Sequence, residues 1–310
     1  MSIHIKLANT PKLMDEVFKI RHKVFSETEE LIKQTEDKRL IDRFDTFSTS
    51  SDLVVMVDDK VVGAMRISLD CEVGLPADEY YDFRVHLPKD AYIMHIGMFC
   101  VTKEYRSPRV TMDLMLMATY FGKSNGVTHV VAPINPQIAK LLQRVGFEAV
   151  GKEFTKPFIE VPILPLVLEV NKLKDFFLKF VRKNRLQDFL GDYERSFYKK
   201  GESIITAGEH GTHAYLIIEG NAEVQLPQSN ETIATLKEGE IFGELALLTD
   251  EVRSAHVVAI TDLQVMTLSK AIFIKYFYNK PEQAQKLLKL MGRRTQTLIT
   301  QLEDLKYRAE

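Results

Sequence analysis

The sequence of 310 residues has no tryptophan and only two cysteines, Cys71 and Cys100. Two cysteines are too few for the disulfide framework of a small secreted domain, so we expect a soluble, cytoplasmic protein. The longest strongly apolar stretch, from Val161 to Val170, contains two prolines and is far too short to cross a bilayer. These absences exclude a membrane span within the sequence and give no sign of export.

An excess of one charge is also absent, because 41 lysines and arginines stand against 43 aspartates and glutamates. This balance argues against a protein that binds nucleic acid through a broad basic surface. The eight histidines are scattered, and none lies in an HxxxH or CxxC-like spacing. We therefore expect no metal site.

The pattern of the chain changes near Lys172, which indicates two domains, as the length also suggests. Before that point, predicted helices and strands alternate, which is typical of a mixed α/β sheet over residues 1–170. The predicted elements are a helix within 10–33, strands over 53–57 and 61–68 joined by a hairpin turn at 58–60, a strand over 92–101, a helix over 110–121, a strand over 127–132 closed by Pro133, and a helix over 137–145.

An amphipathic helix over residues 171–195 is predicted to connect the two domains. Its apolar residues recur at helical spacing. They are Leu173, Phe176, Phe177, Phe180 and Val181. The lysines and arginines between them form a face that either docks an acidic protein or an anionic membrane, or is solvated while the phenylalanines pack on a neighbouring domain.

From Phe197 to Lys270, short β-rich runs separated by glycines are typical of a small barrel, which we assign to residues 196–275. A helix follows over residues 281–308. Its seam of apolar or small residues steps by four and three. The seam consists of Ala284, Leu288, Met291, Thr295, Leu298, Leu302 and Leu305. This predicts either a homodimer contact or a helix that packs back on its own barrel. The expected fold class is α+β with two domains, the second a jelly-roll barrel with flanking helices.

The most specific motif is FGELALL at residues 242–248, followed by Arg253-Ser254-Ala255. A glycine turn that opens a short helix offers backbone N–H groups to an anion, and the arginine nine residues after Glu244 can form a forked pair with a phosphate. A carboxylate beside them can accept a sugar hydroxyl. These residue types predict a pocket for a sugar phosphate, unless Glu244 and Arg253 are a solvated surface pair.

This segment resembles the phosphate-binding cassette of the cyclic nucleotide-binding domain family, and the resemblance covers roughly residues 186–306. It implies that Glu244 binds the ribose 2′-hydroxyl and that Arg253 binds the cyclic phosphate with Ser254. The implied nucleotide contacts are Gly243, Glu244, Leu245, Arg253, Ser254 and Ala255. The Arg-Ser-Ala triplet is similar to that of the bacterial cyclic AMP receptor protein and favours cyclic AMP over cyclic GMP as the allosteric ligand.

Two points about the base and about DNA follow from the same resemblance. Leu298 and Ile299 stand where polar groups would read the base, so the choice of base stays open. Transcription factors of this family continue into a helix-turn-helix, whereas this sequence ends at Glu310. No DNA partner is therefore expected.

The order of elements in the first domain resembles the Gcn5-related N-acyltransferase fold. In that fold, the turn after the central strand holds the pantetheine pyrophosphate of an acyl donor, such as acyl-CoA or an acyl-carrier protein. Residues 106–111 (RSPRVT) form this turn and lack the two glycines of the family, so the arginines are expected to meet a phosphopantetheine or an acidic carrier protein. The implied donor contacts are Val101, Arg106, Arg109, Val110, Thr111 and Asn135.

Four short motifs resemble the acyl-homoserine lactone synthase and long-chain N-acyl amino acid synthase branch of that superfamily, over roughly residues 5–170. The motifs are residues 20–25 (IRHKVF), Asp42-x-x-Asp45, residues 63–66 (GAMR) and residues 99–101 (FCV). The resemblance implies a fatty acyl thioester donor, an amine acceptor, and an acyl groove lined by Phe25, Phe99, Phe147 and residues 161–170. The implied catalytic residues are Arg21, Asp45, Arg66 and His95.

The central strand departs from this branch, because His95 and Met98 stand where those synthases carry a glutamate and an arginine. His95 at its ordinary pKa of about 6.5 suits a general base. The alternative is a hydrogen-bonded strand histidine. Arg21 and Arg66 either bind a carboxylate or pair with aspartates in a buried network, and Cys100 is expected to pack in the core.

These inferences together predict a cyclic-nucleotide-regulated N-acyltransferase. It would transfer an acyl group from acyl-CoA or an acyl-carrier protein to the amine of a small molecule or a lysine. Two alternatives stay open: a non-catalytic nucleotide sensor built on a degenerate acyltransferase fold, and a cyclic AMP-regulated protein-lysine acetyltransferase.

Overall fold

The computed structural model describes residues 3–156, 161–173 and 194–279, together with residues 285, 288, 289, 291, 292, 295, 296, 299 and 300. The chain divides into two units, Met1–Ser196 and Phe197–Glu310. Strand β9 crosses this division, at Glu194–Tyr198. Among the described helices, none combines the length and apolar character that a membrane span requires.

The first unit is built on one sheet with helices α1, α2 and α3. Its strands are β1 (Ile3–Leu7), β2 (Ser50–Val57), β3 (Lys60–Leu69), β4 (Ile93–Val101), β5 (His129–Ile134), β6 (Glu148–Ala149), β7 (Phe154–Thr155) and β8 (Pro162–Glu169). Its helices are α1 (Pro11–His22), which continues as a π-helical segment (Lys23–Thr28), α2 (Pro108–Ser124) and α3 (Pro136–Val145). Short 3-10 segments lie at Arg43–Thr46, Pro76–Glu79, Phe83–His86, Lys103–Tyr105 and Val170–Lys172.

The strands of this sheet are ordered β1-β2-β3-β4-β5-β8-β6, and β7 also pairs with β8. Strands β4 and β5 are parallel, and the other neighbouring strands of this unit are antiparallel. The hairpin between β2 and β3 turns at Asp58 and Asp59, which both have positive φ angles, as the tight two-residue turn requires. The alternating order predicted from sequence is therefore confirmed for this unit.

The sheet has two differently covered faces. On one, α2 packs against β1, β2 and β3, over buried residues such as Met65 and Met94. On the other, α1 packs its apolar residues on Val54, Ala64 and Cys100, so Cys100 is a core residue, as predicted. A second apolar cluster on this face includes Ile93 and Val131, and residues between 75 and 91 pack on it.

Two predicted boundaries are wrong. Pro133 does not close its strand but lies inside β5, opposite Pro165 of β8, where neither residue has an N–H group to leave unpaired. The connecting helix does not begin at residue 171 or run to residue 195. Val170–Lys172 is a 3-10 segment, and Glu194 and Arg195 begin strand β9, which ends in aromatic residues that favour extended structure. Residues 174–193 lie outside the described part of the chain.

The second unit contains two antiparallel groups of strands. Its elements are β10 (Ser203–Ile205), β11 (His213–Glu219), β12 (Ala222–Gln225), β13 (Thr232–Leu236), β14 (Ile241–Phe242), α4 (Leu245–Thr249), β15 (His256–Ala259), β16 (Leu263–Ser269) and α5 (Lys270–Asn279). Strand β11 pairs with β14 and β16, and the second group is ordered β10-β15-β12-β13. One core cluster draws residues from both groups, including Ile217, Val265, Val257 and Leu236. The described strands do not form a closed barrel, so the jelly-roll stays a prediction.

Candidate functional site

A buried polar face lies on the central strands of the first unit. Arg66 of β3 stands opposite Asp52 of β2, and Ser68 of β3 stands opposite His95 of β4. Because side chains alternate along a strand, these four residues project from the same face. All four are buried. We call Asp52, Arg66, Ser68 and His95 the polar face.

The polar face lies between the two apolar clusters of that side of the sheet. Ala64 of the cluster beneath α1 is two residues from Arg66, and Ile93 of the second cluster is two residues from His95. Burial without partners is costly for polar groups. Asp52, Arg66 and Ser68 have polar partners, whereas the His95 ring has none among the described residues. His95 is therefore the part of this face that points to binding or catalysis rather than to stability.

Salt bridges join this face to α1 and to the 3-10 segment Arg43–Thr46. Arg21 Nη1 donates to Asp45 Oδ1 at 2.7 Å, and Arg21 Nη2 donates to Asp52 Oδ1 at 2.5 Å. Arg66 Nη1 donates to Asp42 Oδ1 at 2.5 Å and to Asp45 Oδ1 at 3.1 Å. Three of the predicted catalytic residues, Arg21, Asp45 and Arg66, are therefore together, and the buried network considered as the alternative for the arginines is confirmed.

Local sequence explains how Asp42 and Asp45 reach the arginines. Asp42 caps the 3-10 segment by accepting a hydrogen bond from Phe44 N at 2.8 Å, while Asp42 N donates to Asp45 Oδ2 at 2.9 Å. Burial opposes ionisation of Asp42, but the hydrogen bond to Arg66 holds its pKa below the usual value. Burial raises the pKa of Asp52 despite the neighbouring Arg21. The Asp-x-x-Asp motif thus positions one carboxylate against both arginines.

His95 is buried, and neither ring nitrogen has a hydrogen-bond partner among the described residues. Burial, followed by the positive charges of Arg66 and Lys156, lowers its pKa to about 3. The expectation of an ordinary pKa near 6.5 is therefore wrong, because the ring is removed from water beside two cations. The histidine lies in strand β4, as the alternative expected, but the described residues supply no hydrogen-bond partner for its ring. The ring lies over Gly97, where an added Cβ would be 2.5 Å from His95 Cε1.

Lys156 and Tyr80 are two residues near the polar face that sequence reasoning missed. Lys156 Nζ lies 4.6 Å from the centroid of the Tyr80 ring. Burial lowers the pKa of Lys156. The negative charges of Glu79 and Asp42 oppose this shift, and the positive charge of Arg66 reinforces it. Burial raises the pKa of Tyr80, and the positive charge of Arg66 opposes this rise. Both residues therefore lie within electrostatic reach of Arg66, although no motif in the sequence connects them.

A bulge interrupts β4 just beyond His95. Gly97 pairs with Arg66 and Cys100 pairs with Ala64, so two residues of β4, Met98 and Phe99, face one residue of β3. Met98 has a φ angle of 48°, a conformation that is uncommon for a residue with a side chain. A bulge leaves backbone groups outside the ladder. The bulge lies next to the polar face, to which Arg66 and His95 belong.

The turn after β4 contains most of the predicted donor contacts, and its groups largely bond to each other. Arg106 Nε donates to the carbonyl of Val101 at 2.7 Å, and Arg106 Nη2 donates to Glu29 Oε1 at 2.6 Å. Ser107 caps α2 by accepting from Val110 N at 3.2 Å, and Thr111 N donates to the Ser107 carbonyl at 3.1 Å. The N–H groups of Val110 and Thr111 therefore already have acceptors.

The remaining donor candidates are at the starts of two helices. Arg109 Nε lies 4.0 Å from Asp113 Oδ2 in the first turn of α2. Asp113 also forms a salt bridge with Arg195 of β9, whose Nη2 lies 3.6 Å from Asp113 Oδ1. The side chain of Asn135 caps α3 by accepting from Gln137 N at 2.9 Å. Of the predicted acyl-groove residues, Phe147 is buried, whereas Phe25 and Phe99 are half-buried.

In the second unit, Arg253 is buried beneath the FGELALL segment. Its Nη1 donates to the carbonyl of Gly243 at 2.5 Å and its Nη2 donates to the carbonyl of His213 at 2.6 Å. A Cβ at position 211 would lie 2.7 Å from Arg253 Cζ, so Gly211 leaves room for the guanidinium. A guanidinium has more N–H donors than these two bonds use, and it can therefore also bind an anion.

The other predicted nucleotide contacts surround Arg253 in the same segment. Glu244 is 2% exposed and precedes α4, where its carbonyl accepts from the N–H groups of Leu247 and Leu248 at 3.1 Å each. Leu245 and Ser254 are exposed, and Ala255 is half-buried. The alternative of a solvated Glu244 and Arg253 pair is wrong, since both side chains are buried.

The described part of the predicted terminal helix touches this unit at one residue of the seam. Met291 packs with Ala214, Leu247 and Phe273, so the helix packs back on its own domain there. Leu288 is 67% exposed, and Thr295 Oγ1 donates to the Met291 carbonyl at 3.0 Å. Ala284, Leu298, Leu302 and Leu305 lie outside the described residues, and the homodimer stays a prediction.

Comparison with known families assigns both units. Residues 16–169 match the family model described as N-acyl amino acid synthase FeeM, and residues 195–279 match the model of the cyclic nucleotide-binding domain. The chain carries a FeeM-type N-acyl amino acid synthase domain followed by a cyclic nucleotide-binding domain. The predicted resemblances to an N-acyl amino acid synthase and to a cyclic nucleotide-binding domain are confirmed at this level. The Gcn5-related fold and the relation to acyl-homoserine lactone synthases stay predictions.

Individual relatives cover parts of the chain. The second domain is similar to a cAMP-dependent protein kinase regulatory subunit of Yarrowia lipolytica, with 40% identity over 29% of this chain and 27% of that protein. It is also similar to the Cyclic AMP receptor protein of Thermus thermophilus, with 30% identity over 38% of this chain and 56% of that protein. The solved structure of FeeM, from uncultured soil microbes, aligns with 16% identity and a TM-score of 0.46, over 54% of this chain and 95% of that one.

Proposed function

We propose that the protein is an N-acyltransferase that a cyclic nucleotide regulates. The observation that carries this proposal is the polar face, a cluster of buried arginine, aspartate and histidine side chains in the domain that matches the N-acyl amino acid synthase model. The amine nitrogen of the acceptor attacks the carbonyl carbon of an acyl thioester, forming the C–N bond as the C–S bond breaks. The sulfur leaves as a thiol after taking up the proton that the amine loses.

His95 is the proposed base for the amine, and Arg66 and Arg21 orient the acceptor beside it. As a neutral imidazole, His95 accepts a proton through the ring nitrogen that its tautomer leaves unprotonated. Its pKa of about 3 reflects burial and the charges of Arg66 and Lys156. An anionic group of the acceptor placed near these cations would offset their charge and raise the basicity of His95. The base would thus be activated only when the acceptor is bound.

The donor is proposed to enter from the turn after β4. The N–H groups of Val110 and Thr111 donate within the turn, so the charged side chains of Arg106 and Arg109, rather than these N–H groups, are proposed to meet the phosphate of acyl-CoA or of an acyl-carrier protein. The thioester would then reach the bulge at Met98, next to the polar face. The same occupied N–H groups favour a second candidate function, a non-catalytic sensor in which the acyltransferase fold binds a partner without turnover.

Cyclic AMP is the proposed regulator, with Glu244 on the ribose and Arg253 and Ser254 on the phosphate. Similar curated proteins include ones named for cyclic AMP and a cGMP-dependent protein kinase, so the support for cyclic AMP over cyclic GMP is the Arg253-Ser254-Ala255 triplet. Leu247 of α4 packs with Phe273 and Met291, so a shift of the cassette on binding would move the terminal helix. A nucleotide changes activity only if it prefers one conformational state.

The test is an assay in which the full chain is incubated with acyl-CoA or acyl-carrier donors of several chain lengths and a mixture of amines. Mass spectrometry detects the products, with and without cyclic AMP or cyclic GMP. We expect an N-acyl product whose rate of formation changes at least about tenfold with the nucleotide, a coupling of a size common in allosteric proteins. Absence of any product with all donors would support the sensor. A product whose rate no nucleotide alters would refute the regulation.

A further inference from the structure

The two arginines of the turn after β4 already lie next to carboxylates of the protein. Arg109 Nε is 4.0 Å from Asp113 Oδ2, which is a loose contact. Arg106 Nη2 donates to Glu29 Oε1 at 2.6 Å, which is the length of a strong, charge-assisted hydrogen bond. If Arg106 meets the phosphate of the donor, it must therefore exchange one anion for another when the donor binds.

Glu29 reaches the donor turn from a distant part of the chain, 77 positions before Arg106. It follows the π-helical segment Lys23–Thr28, and its N–H group donates to the Val24 carbonyl at 2.9 Å, across five residues. The next residue, Glu30, has a φ angle of 53°, which is uncommon for a residue with a side chain. Short π-helical turns are rare and are frequent at functional sites. The backbone thus departs from a regular helix where Glu29 meets the donor turn.

Packing fixes the π-helical segment against the first unit. Val24 lies in the same apolar cluster as Cys100 of β4, and Leu31 N donates to the Phe25 carbonyl at 2.8 Å. Residues on both sides of Glu29 are therefore held in place. The fold of the segment presents Glu29 to Arg106, so the contact does not depend on a freely rotating stretch of surface chain.

The orientation of Arg106 brings a bound phosphate into conflict with Glu29. Arg106 Nε donates to the Val101 carbonyl at 2.7 Å, which fixes the plane of the guanidinium at the end of β4. A phosphate is then met through the two Nη groups, and Nη2 already donates to Glu29. Phosphate oxygens at this end of Arg106 would lie close to the carboxylate, and like charges repel each other. Glu29 and the donor phosphate therefore compete for Arg106.

The pair of Glu29 and Arg106 is accessible enough to open. The side chain of Arg106 is 42% exposed and that of Glu29 is 33% exposed. Ion pairs in contact with water contribute little to stability, because water solvates both charges when they separate. Exchange of the carboxylate for a phosphate therefore has a low cost and is reversible.

We propose that Glu29 is a latch on the donor site: it holds Arg106 when no donor is bound and releases it to the phosphate of an incoming pantetheine arm. The proposal rests on the proposed acyl transfer, which puts the donor phosphate at this turn, and adds a carboxylate of the protein that competes with it. Coenzyme A and the arm of an acyl-carrier protein share this phosphate chemistry. Glu29 takes no part in the bond changes and sets the affinity for the donor.

Calorimetric titration of the full chain with phosphopantetheine tests the latch, and pantetheine, which has no phosphate, is the matched probe. We expect Glu29→Gln to bind phosphopantetheine about three- to tenfold more tightly than the wild type, because the competing charge is gone. Glu30→Gln removes an exposed carboxylate one residue later. This control is expected to stay within about twofold of the wild type. Pantetheine is expected to bind all of these proteins equally.

A double variant shows whether Glu29 acts through Arg106. Arg106→Gln alone is expected to weaken phosphopantetheine binding about tenfold. Adding Glu29→Gln to it is expected to change the affinity by no more than about twofold, because the latch has lost its partner. A gain as large as in the wild-type background would indicate a general effect of charge and would overturn the proposal. Equal or weaker binding by Glu29→Gln alone would also overturn it.

Thermal unfolding of each variant accompanies the titrations. Glu29→Ala, which also removes the carboxylate, takes the place of Glu29→Gln if that variant does not fold. The same affinities are expected from either change.

Two further probes identify the source of the phosphate and separate the latch from acyl transfer. Coenzyme A and an acyl-carrier protein bearing its phosphopantetheine arm are titrated into wild type and Glu29→Gln. The donor that binds more tightly to Glu29→Gln is the one that the latch meets. Failure of every phosphate-bearing probe to bind either protein would overturn the latch whatever the activity. Tighter binding by Glu29→Gln without an acylated product from any amine would support the latch and refute the acyl transfer.

Discussion

Arg21 of α1 and Arg66 of β3 donate to the same oxygen atom, Asp45 Oδ1, at 2.7 Å and 3.1 Å. The carboxylate of Asp45, in the 3-10 segment Arg43–Thr46, therefore links α1 to the central sheet. All three side chains are at most 3% exposed. Such a buried pair depends on both partners, because an unpaired charge in the interior is far more costly than the pair itself.

Asp45→Asn is expected to destabilise the first unit. The change retains the size of the side chain but removes the charge that both arginines share, so we expect the free energy of unfolding to fall by about 3–5 kcal/mol. Urea denaturation followed by circular dichroism measures this. Asp90→Asn, at an exposed position, is the control. Equal midpoints for the two variants would contradict a structural role of the shared carboxylate.

Gly97→Ala is expected to displace the His95 ring, because the new Cβ would lie 2.5 Å from His95 Cε1. Overpacking of this kind usually costs about 1–3 kcal/mol of stability. We also expect kcat for acyl transfer to fall in the protein that remains folded. Gly292→Ala, where an added Cβ meets nothing within 4 Å, is the control. Unchanged kcat in a folded Gly97→Ala protein would argue against His95 as the base.

Stability is expected to depend on pH through His95. Its pKa in the folded protein, about 3, is below the ordinary histidine pKa of 6.5, so between these values the unfolded chain binds the proton and the folded chain does not. Stability from this group is therefore complete above pH of about 6.5 and is lost as pH falls toward about 3. Arg66, Lys156 and Asp42 are the charged groups that act on it.

His95→Gln measures that contribution directly. Wild type and variant are unfolded with urea at pH values from 7 down to 4, in steps of about half a unit. The difference between their free energies of unfolding is plotted against pH. We expect the wild type to lose stability more steeply than the variant in this window. Parallel curves would show that His95 has no depressed pKa in the folded state.

Arg253→Ala is expected to abolish cyclic nucleotide binding, weakening it at least about 100-fold, because a charge-assisted forked contact with the phosphate is lost. Calorimetric titration with cyclic AMP and cyclic GMP measures the change. Arg253→Lys keeps the charge without the fork and is expected to bind with intermediate affinity. Lys237→Ala, at an exposed position of the same unit, is the control. Full affinity in Arg253→Ala would place the phosphate elsewhere.

Arg195→Gln is expected to uncouple the nucleotide from acyl transfer. Asp113 lies 3.6 Å from Arg195 and 4.0 Å from Arg109 of the donor turn, and Arg195 belongs to β9, the strand that crosses from one unit to the next. We expect nucleotide affinity to stay within about twofold while the effect of cyclic AMP on the transfer rate drops several-fold. Lys199→Gln, an exposed residue just after β9, is the control. Unaltered regulation in Arg195→Gln would exclude this route.

Local patterns in the sequence predicted much of both domains. Continuous β-rich apolar runs marked β2, β3 and β4, and Asp58 and Asp59 marked the hairpin between β2 and β3, because residue preference and turn chemistry are short-range properties. The FGELALL segment with Arg253 predicted the nucleotide pocket, since its groups lie within a few turns of chain. The ends of elements were less certain: Pro133 remains in its strand only because Pro165 of another strand lies opposite it.

The sequence by itself determined which residues are candidates for chemistry: the arginines, aspartates and histidine of the first domain and the cassette of the second. Only the tertiary structure decided their burial and their pKa values. His95 has a depressed pKa because the fold buries it beside Arg66 and Lys156, and Lys156 reaches Tyr80 although 76 positions separate them in the chain. Solvation and the electrostatic field depend on distances in space, and neither is encoded in the spacing of residues along the chain.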